Sequence, residues 1–252
     1  MDQYHTRIYR ALKLLFFVSI CAGIPSISSA FTVQVDGCVA EPKIFQVDAK
    51  ISLLDVLKNT ELTSCAYVLG TSWSMASLEQ QQAQQKRALL SQIEHEMSEA
   101  DSAATIEYLQ ALFELIVKQP VTGRVLPSDF DSFHVEAMPQ KNRVLTQEST
   151  IYFPSQPKKI NLVGFSQSQR TYDSDLSTTD IYNEMDICSD CTHGWLWSVQ
   201  PDGEVKKHKV GVWTTGKNYV APGGWLISPL SGVDDSFYQQ LTLWLATQEV
   251  LQ

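Results

Sequence analysis

Cys188-Ser189-Asp190-Cys191 places two thiols three positions apart, a spacing shared by dithiol redox centres, loop-closing disulfides and half of a zinc site. A redox pair needs a lowered thiol pKa, usually supplied by a helix start in a strand-helix-strand setting. Here Asp186 and Asp190 flank the pair, and acidic neighbours raise a thiol pKa instead. The pattern predicts a loop-closing disulfide, with a periplasmic thiol-disulfide oxidoreductase at Cys188 and Cys191 as the enzymatic rival. His193 stands close by, but a zinc site needs a fourth ligand that the segment does not supply.

Arg124 is the second candidate. Pro120 ends a long helical pattern, because its ring removes a donor and clashes with the preceding turn. Gly123 then permits an unusual backbone angle, and Arg124 follows among Val121, Val125 and Leu126. Apolar neighbours predict a guanidinium drawn inside, where its five donors need acceptors from protein, water or a ligand. A surface arginine on a strand is the plainer alternative.

The six tryptophans are Trp73, Trp195, Trp197, Trp213, Trp225 and Trp244. Their faces suit sugar rings, which makes a glycan-binding module a third function class. The competing reading, that they fill a small core, is favoured. Other chemistry has no positive support. His95, His134, His193 and His208 are scattered, no glycine-flanked serine marks a nucleophile elbow, and phosphate loops and dinucleotide fingerprints are absent. No cofactor is implied, and no spacing singles out a carboxylate pair for glycoside hydrolysis.

The elements that position these residues begin with Phe31-Thr32-Val33-Gln34-Val35, an alternating half-buried strand. Asp36-Gly37 signals a turn, and a return strand is expected over Ile44 to Val47. Ser52 caps a short helix, Leu53 to Leu57, and Cys65 to Gly70 reads as another strand. This order begins a small mixed fold of the β-grasp kind. From about Ser74 to Lys118 there is no proline or glycine, and two apolar stripes run Leu89-Ile93-Met97 and Ile106-Leu109-Leu112-Phe113-Ile116. They predict an antiparallel helical hairpin, with Ser77 and Gln80 as a capping box at its start.

Phe133-His134-Val135, Arg143-Val144-Leu145 and Ile151-Tyr152-Phe153 read as short strands, and Pro154 to Pro157 as a linker. A second domain then opens with Lys159 to Gly164, followed by a short helix from Thr178 to Met185. Trp195 to Val199, the turn Gln200-Pro201-Asp202-Gly203 and Val205 to Trp213 form a hairpin. Ala221-Pro222-Gly223-Gly224 turns into the strand Trp225-Leu226-Ile227, and Asp235 or Ser236 caps a closing helix faced by Phe237, Leu241, Trp244 and Leu245.

Compartment is written at the N-terminus. Arg7, Arg10 and Lys13 precede the apolar run Leu14 to Ile24, and Ser28-Ser29-Ala30 offers a cleavage site. Residues 1–30 are therefore expected to be a signal peptide, leaving a soluble periplasmic chain without stable membrane insertion. Their removal takes away Asp2 and three cations, so the net charge passes from −9 to −11. An acidic chain without a basic stripe is a poor partner for nucleic acid. The remaining cysteines, Cys38, Cys65, Cys188 and Cys191, are an even set in an oxidising compartment. Three connectivities are open. The favoured one joins Cys38 to Cys65, each in an extended apolar run, and Cys188 to Cys191. The oligomeric state is open.

Taken in order, the short "SLLDVL" helix, the glutamine-rich insert, Val121-Thr122-Gly123-Arg124, "LVGF", Gln200-Pro201-Asp202-Gly203, "VGVW", Pro222-Gly223-Gly224 and the closing helix resemble the GfcC family of capsule-assembly proteins. The resemblance implies α+β architecture with two tandem β-grasp domains, similar to the periplasmic domains of Wza-type export proteins. It divides the chain into 31–155 with a helical hairpin at about 74–119, 156–232, and a C-terminal amphipathic helix over 233–252. It also implies a non-enzymatic role in capsule or exopolysaccharide assembly, with outer-membrane export machinery or polysaccharide as partner. Arg124 matches the family's pocket-lining arginine. The four mature cysteines depart from the family pattern, as does Tyr67-Val68 where the family shows a Tyr-Trp pair.

Overall fold

The computed structural model describes residues 30–126, 129–211 and 217–250. The expected signal segment 1–29 and Trp213 lie outside the described residues. The chain is mixed α+β, with several sheets and six α-helices among the described residues.

β1 (Phe31–Gly37) and β2 (Lys43–Val47) form an antiparallel hairpin, but the expected Asp36-Gly37 turn is the end of β1, paired with Tyr152 and Phe153, and the chain reverses over residues 38–42. Val33 and Val35 face inward while Gln34, Ile44 and Gln46 face solvent, as the alternation predicts. β3 (Ile51–Ser52) leads into α1 (Leu53–Lys58), whose first turn is capped by the Ser52 hydroxyl accepting from the Asp55 amide. β4 (Ser72–Ser74) enters the first sheet at its edge. β5 (Val144–Leu145) pairs with β3, and β6 (Ser149–Phe153) runs parallel to β1 in the centre. The sheet order is β2-β1-β6-β4.

Between β4 and β5 the chain makes the helical hairpin, α2 (Ala76–Glu99) and α3 (Ala103–Lys118), and then α4 (Ser132–Ala137). Its packing is the chief surprise. Leu89, Ile93, Leu109, Leu112 and Ile116 bury against the second sheet, not the one whose sequence surrounds them. Fully burying each such side chain stabilises by about 1.5–3 kcal/mol.

That second sheet has the order β10-β9-β11-β7-β8. Its strands are β7 (Lys159–Val163), β8 (Gln169–Thr171), β9 (Trp195–Val199), β10 (Val205–Lys209) and β11 (Trp225–Ile227). β11 runs parallel to β7. One face meets α5 (Thr178–Glu184) through Ile160, Leu162, Leu196 and Leu226. The other face, with Val163, Trp197, Val199 and Ile227, lies under the hairpin and α6 (Asp235–Ala246).

Four other local expectations change. Phe133-His134-Val135 lies in α4, because the Asp131 carboxylate caps a helix start through the Phe133 and His134 amides. Cys65 to Gly70 is a turn followed by a 3-10 helix over Val68–Gly70. α2 starts after Met75 without a side-chain cap, and Ser77 accepts from Gln147 instead of closing a capping box. The last helix is capped by Asp234, one residue before the expected positions.

Candidate functional site

Arg124 sits where the two sheets, the hairpin and the C-terminal helix meet. Gly123 has φ +66, and a Cβ there would stand 2.4 Å from the Met75 carbonyl oxygen, so only glycine fits this approach. The Gln82 side chain of α2 clamps the same backbone. Its Oε1 accepts from Gly123 N at 2.8 Å, and its Nε2 donates to the Arg124 carbonyl at 2.9 Å. Thr122 Oγ1 accepts from the Arg124 amide and donates to the Thr247 carbonyl at 2.7 Å.

The guanidinium, 2% exposed, donates only to main-chain carbonyls. One terminal nitrogen reaches Ala246, the last residue of α6, at 3.2 Å and Gln248, just past it, at 2.7 Å. The other reaches Thr71 at 3.2 Å, before β4, and Pro201 in the β9–β10 turn. Four carbonyls account for the four hydrogens on these nitrogens, while Nε is buried without a partner. Burial pulls the guanidinium down to about 10, opposed by the Glu249 and Asp202 charges, so it stays protonated at neutral pH.

The other resemblance motifs meet the same junction. Gly203 has φ +89, and a Cβ there would stand 2.4 Å from Leu126 Cδ2, two residues beyond Arg124. Tyr67 donates its hydroxyl hydrogen to the Pro222 carbonyl at 3.0 Å. Beside the junction, a cleft of about 780 Å³ is lined by Val68, Leu69, Phe130, Lys141, Arg143 and Asp202, among others. Burial pushes the Asp202 carboxyl above its usual range, though it accepts from the Glu204 amide.

The cysteines pair as the favoured connectivity has them, Cys38 with Cys65 and Cys188 with Cys191. The first bridge ties the β1–β2 turn to the loop after α1. The second closes a loop that grips the hairpin. Asp190 accepts from the Ser102 hydroxyl and from Thr105 Oγ1, which holds its carboxyl below the usual range and joins the loop to the start of α3. Cys191 is buried, and His193 is hydrogen-bonded to Tyr182. Among the described residues, no group of three or more His, Cys, Asp or Glu side chains could hold a metal.

Trp73, Trp197, Trp225 and Trp244 are buried, and Trp195 is 39% exposed with Lys207 over its ring. Of the buried four, Trp225 lies beside open space. It lines a groove of about 660 Å³ between α3 and the β7–β8 edge, within the size range of ligand sites. The sequence held a sign of this groove. Ala104, Glu107, Ala111, Glu114 and Lys118 recur on one side of α3, and the two alanines leave room there.

No protein-family model and no curated protein matches this sequence.

Proposed function

We propose that this protein is a non-enzymatic periplasmic accessory factor for assembly or export of capsule or exopolysaccharide, acting through protein or glycan contacts. One observation carries the reading. The motifs that give the resemblance are far apart in sequence, yet Val121-Thr122-Gly123-Arg124 reaches Gln200-Pro201-Asp202-Gly203 directly. The repeated strand order supports two tandem β-grasp units. In each sheet the first strand lies between its hairpin partner and a parallel last strand, β2-β1-β6 and β8-β7-β11. On this reading Arg124 holds the two units and the terminal helix together.

The paired cysteines fit an oxidising compartment, and no helix among the described residues is long and apolar enough to cross a membrane. The Cys188–Cys191 bridge is a structural clasp in this account. Its loop is anchored by Asp190 on α3, and one sulfur is buried.

The test is surface polysaccharide in a clean deletion strain, with complementation by the parent gene and by Arg124→Ala. Loss on deletion, restored by the parent gene, is the expected result, with the Arg124→Ala protein depleted from the periplasm. Normal polysaccharide in the deletion strain rejects the role.

A further inference from the structure

We propose that the groove between α3 and the β7–β8 edge binds a segment of uncharged glycan. The inference rests on the surface-polysaccharide reading and names the ligand class and the site within it.

The groove is elongated. Ala104 to Lys118 spans fourteen residue steps of α3, about 20 Å at the helical rise, so several sugar rings fit in a row. Its floor is the part of the second sheet that α3 leaves partly uncovered, where Trp225 stands opposite Asn161 in the strand register. Trp225 is only 8% exposed, so it closes the floor as core and leaves recognition to the polar edge.

The edge is lined by amides already fixed in place. Lys159 Nζ donates to Gln169 Oε1 at 3.4 Å, and Gln169 Nε2 donates to Asn161 Oδ1 at 3.0 Å. Asn161 Nδ2 in turn donates to the Gly223 and Gly224 carbonyls at 3.3 and 3.4 Å. An amide held by its neighbours loses little freedom when it meets a hydroxyl, which keeps the cost of binding low. Gln167, Ser166 and Ser168 extend the row of neutral donors and acceptors along the turn.

Charge decides the ligand class. The α3 wall carries Glu107 and Glu114 against Lys118 alone, and that lysine already lies 3.9 Å from Glu114. A uronate or phosphate polymer would bring its charge against Glu107, the wall carboxylate without a paired cation among the described residues, on a chain of net negative charge. A neutral polyol avoids that repulsion and uses the amides. An extended peptide is the rival occupant, since β8 is a sheet edge and Leu115 and Phe165 also line the groove; the amides of Asn161, Gln167 and Gln169 favour the glycan.

The experiment is saturation-transfer NMR on the mature chain. The probes are maltohexaose, isomaltohexaose, hexagalacturonate, and oligosaccharides released from the cell's own surface polysaccharide. Transfer to at least one uncharged oligosaccharide is expected. The double variant Ala104→Leu/Ala111→Leu should abolish it with a nearly unchanged thermal melt, because leucine fills the groove and is close to alanine as a helix former. Gln169→Ala should weaken it, and Trp195→Ala should leave it unchanged. Transfer to none of the probes, transfer only to charged ones, or transfer that survives the groove-filling pair would overturn the proposal. Cells separate this inference from the reading beneath it. If deletion abolishes surface polysaccharide and the groove-filled variant restores it fully, the groove is rejected while the export role stands. Normal polysaccharide after deletion rejects both.

Discussion

The two sheets share a strand order around their first strands but are covered differently. The first buries one face, against α1 and α4, and leaves Gln34, Ile44 and Gln46 in water. The second is largely buried on both faces, with four of the five residues of β9 and all of β11 buried. Its extra cover is borrowed, because the helical hairpin belongs to the first half of the sequence. One half could be self-sufficient; the other needs its neighbour's helices. That asymmetry makes the junction around Arg124 a fastening between interlocked parts.

The largest effect should come from separating them. A fragment of residues 156–250 keeps every strand of the second sheet and α6, but exposes the face that Leu89, Ile93, Leu109 and Leu112 cover. It should show no cooperative thermal transition by circular dichroism and should bind ANS. Co-expression with residues 76–118 should restore a transition. A fragment that melts cooperatively alone would break the comparison.

Next is Arg124→Ala, which strands four buried carbonyl acceptors and should cost at least about 3 kcal/mol in urea unfolding. Arg124→Lys should recover little, because one ammonium with three donors cannot span acceptors from three separate segments. If Arg124→Ala unfolds with the parent midpoint, the guanidinium is not the fastening.

How far the sequence reveals all this depends on where each signal is stored. β1 was legible because one face meets water and the pattern alternates. Arg124 was legible as a buried candidate from Val121, Val125 and Leu126. Its acceptors were not, since the carbonyls of Thr71, Pro201, Ala246 and Gln248 carry no residue-type signature. The stripes on α2 and α3 announced a hairpin but not which sheet it would cover, because an apolar face fits either. Phe133-His134-Val135 imitates a strand by alternation, and the cap at Asp131 outweighs it. The groove went unread because it is formed by what α3 lacks, bulk at Ala104 and Ala111, and by a strand edge distant in sequence.

The two disulfides sharpen the contrast at a smaller scale. Cys38–Cys65 closes a separation of 27 residues inside the self-contained half, and its loss should cost about 3.5 kcal/mol from chain entropy. Cys188–Cys191 closes a separation of 3, worth about 1.6 kcal/mol by the same relation. Paired Cys→Ser variants compared by urea unfolding test the ranking. Its reversal would mean that the short loop's grip on α3, through Asp190, outweighs chain entropy.

The smallest effect concerns Asp202, in the turn whose Pro201 carbonyl takes one of the Arg124 bonds. Burial raises its carboxyl above the ordinary 3.8, and the nearby Glu204 charge adds to this, while Arg124 opposes it. A folded pKa above the unfolded one means that the ionised form disfavours the fold, so the parent chain gains stability as pH falls through the raised value. Asp202→Asn removes the charge and keeps an oxygen to accept from the Glu204 amide. The variant should be more stable at pH 7, by less than about 1 kcal/mol because the site is partly solvated. The advantage should vanish once pH falls below 3.8. Asp190→Asn should do the reverse. Its carboxylate is held low by Ser102 and Thr105, so the parent's advantage is present above 3.8 and lost as pH falls through the depressed value. If Asp202→Asn instead lowers the melting temperature at pH 7, the attraction between Asp202 and Arg124 outweighs burial. The fastening between the two sheets would then be partly ionic.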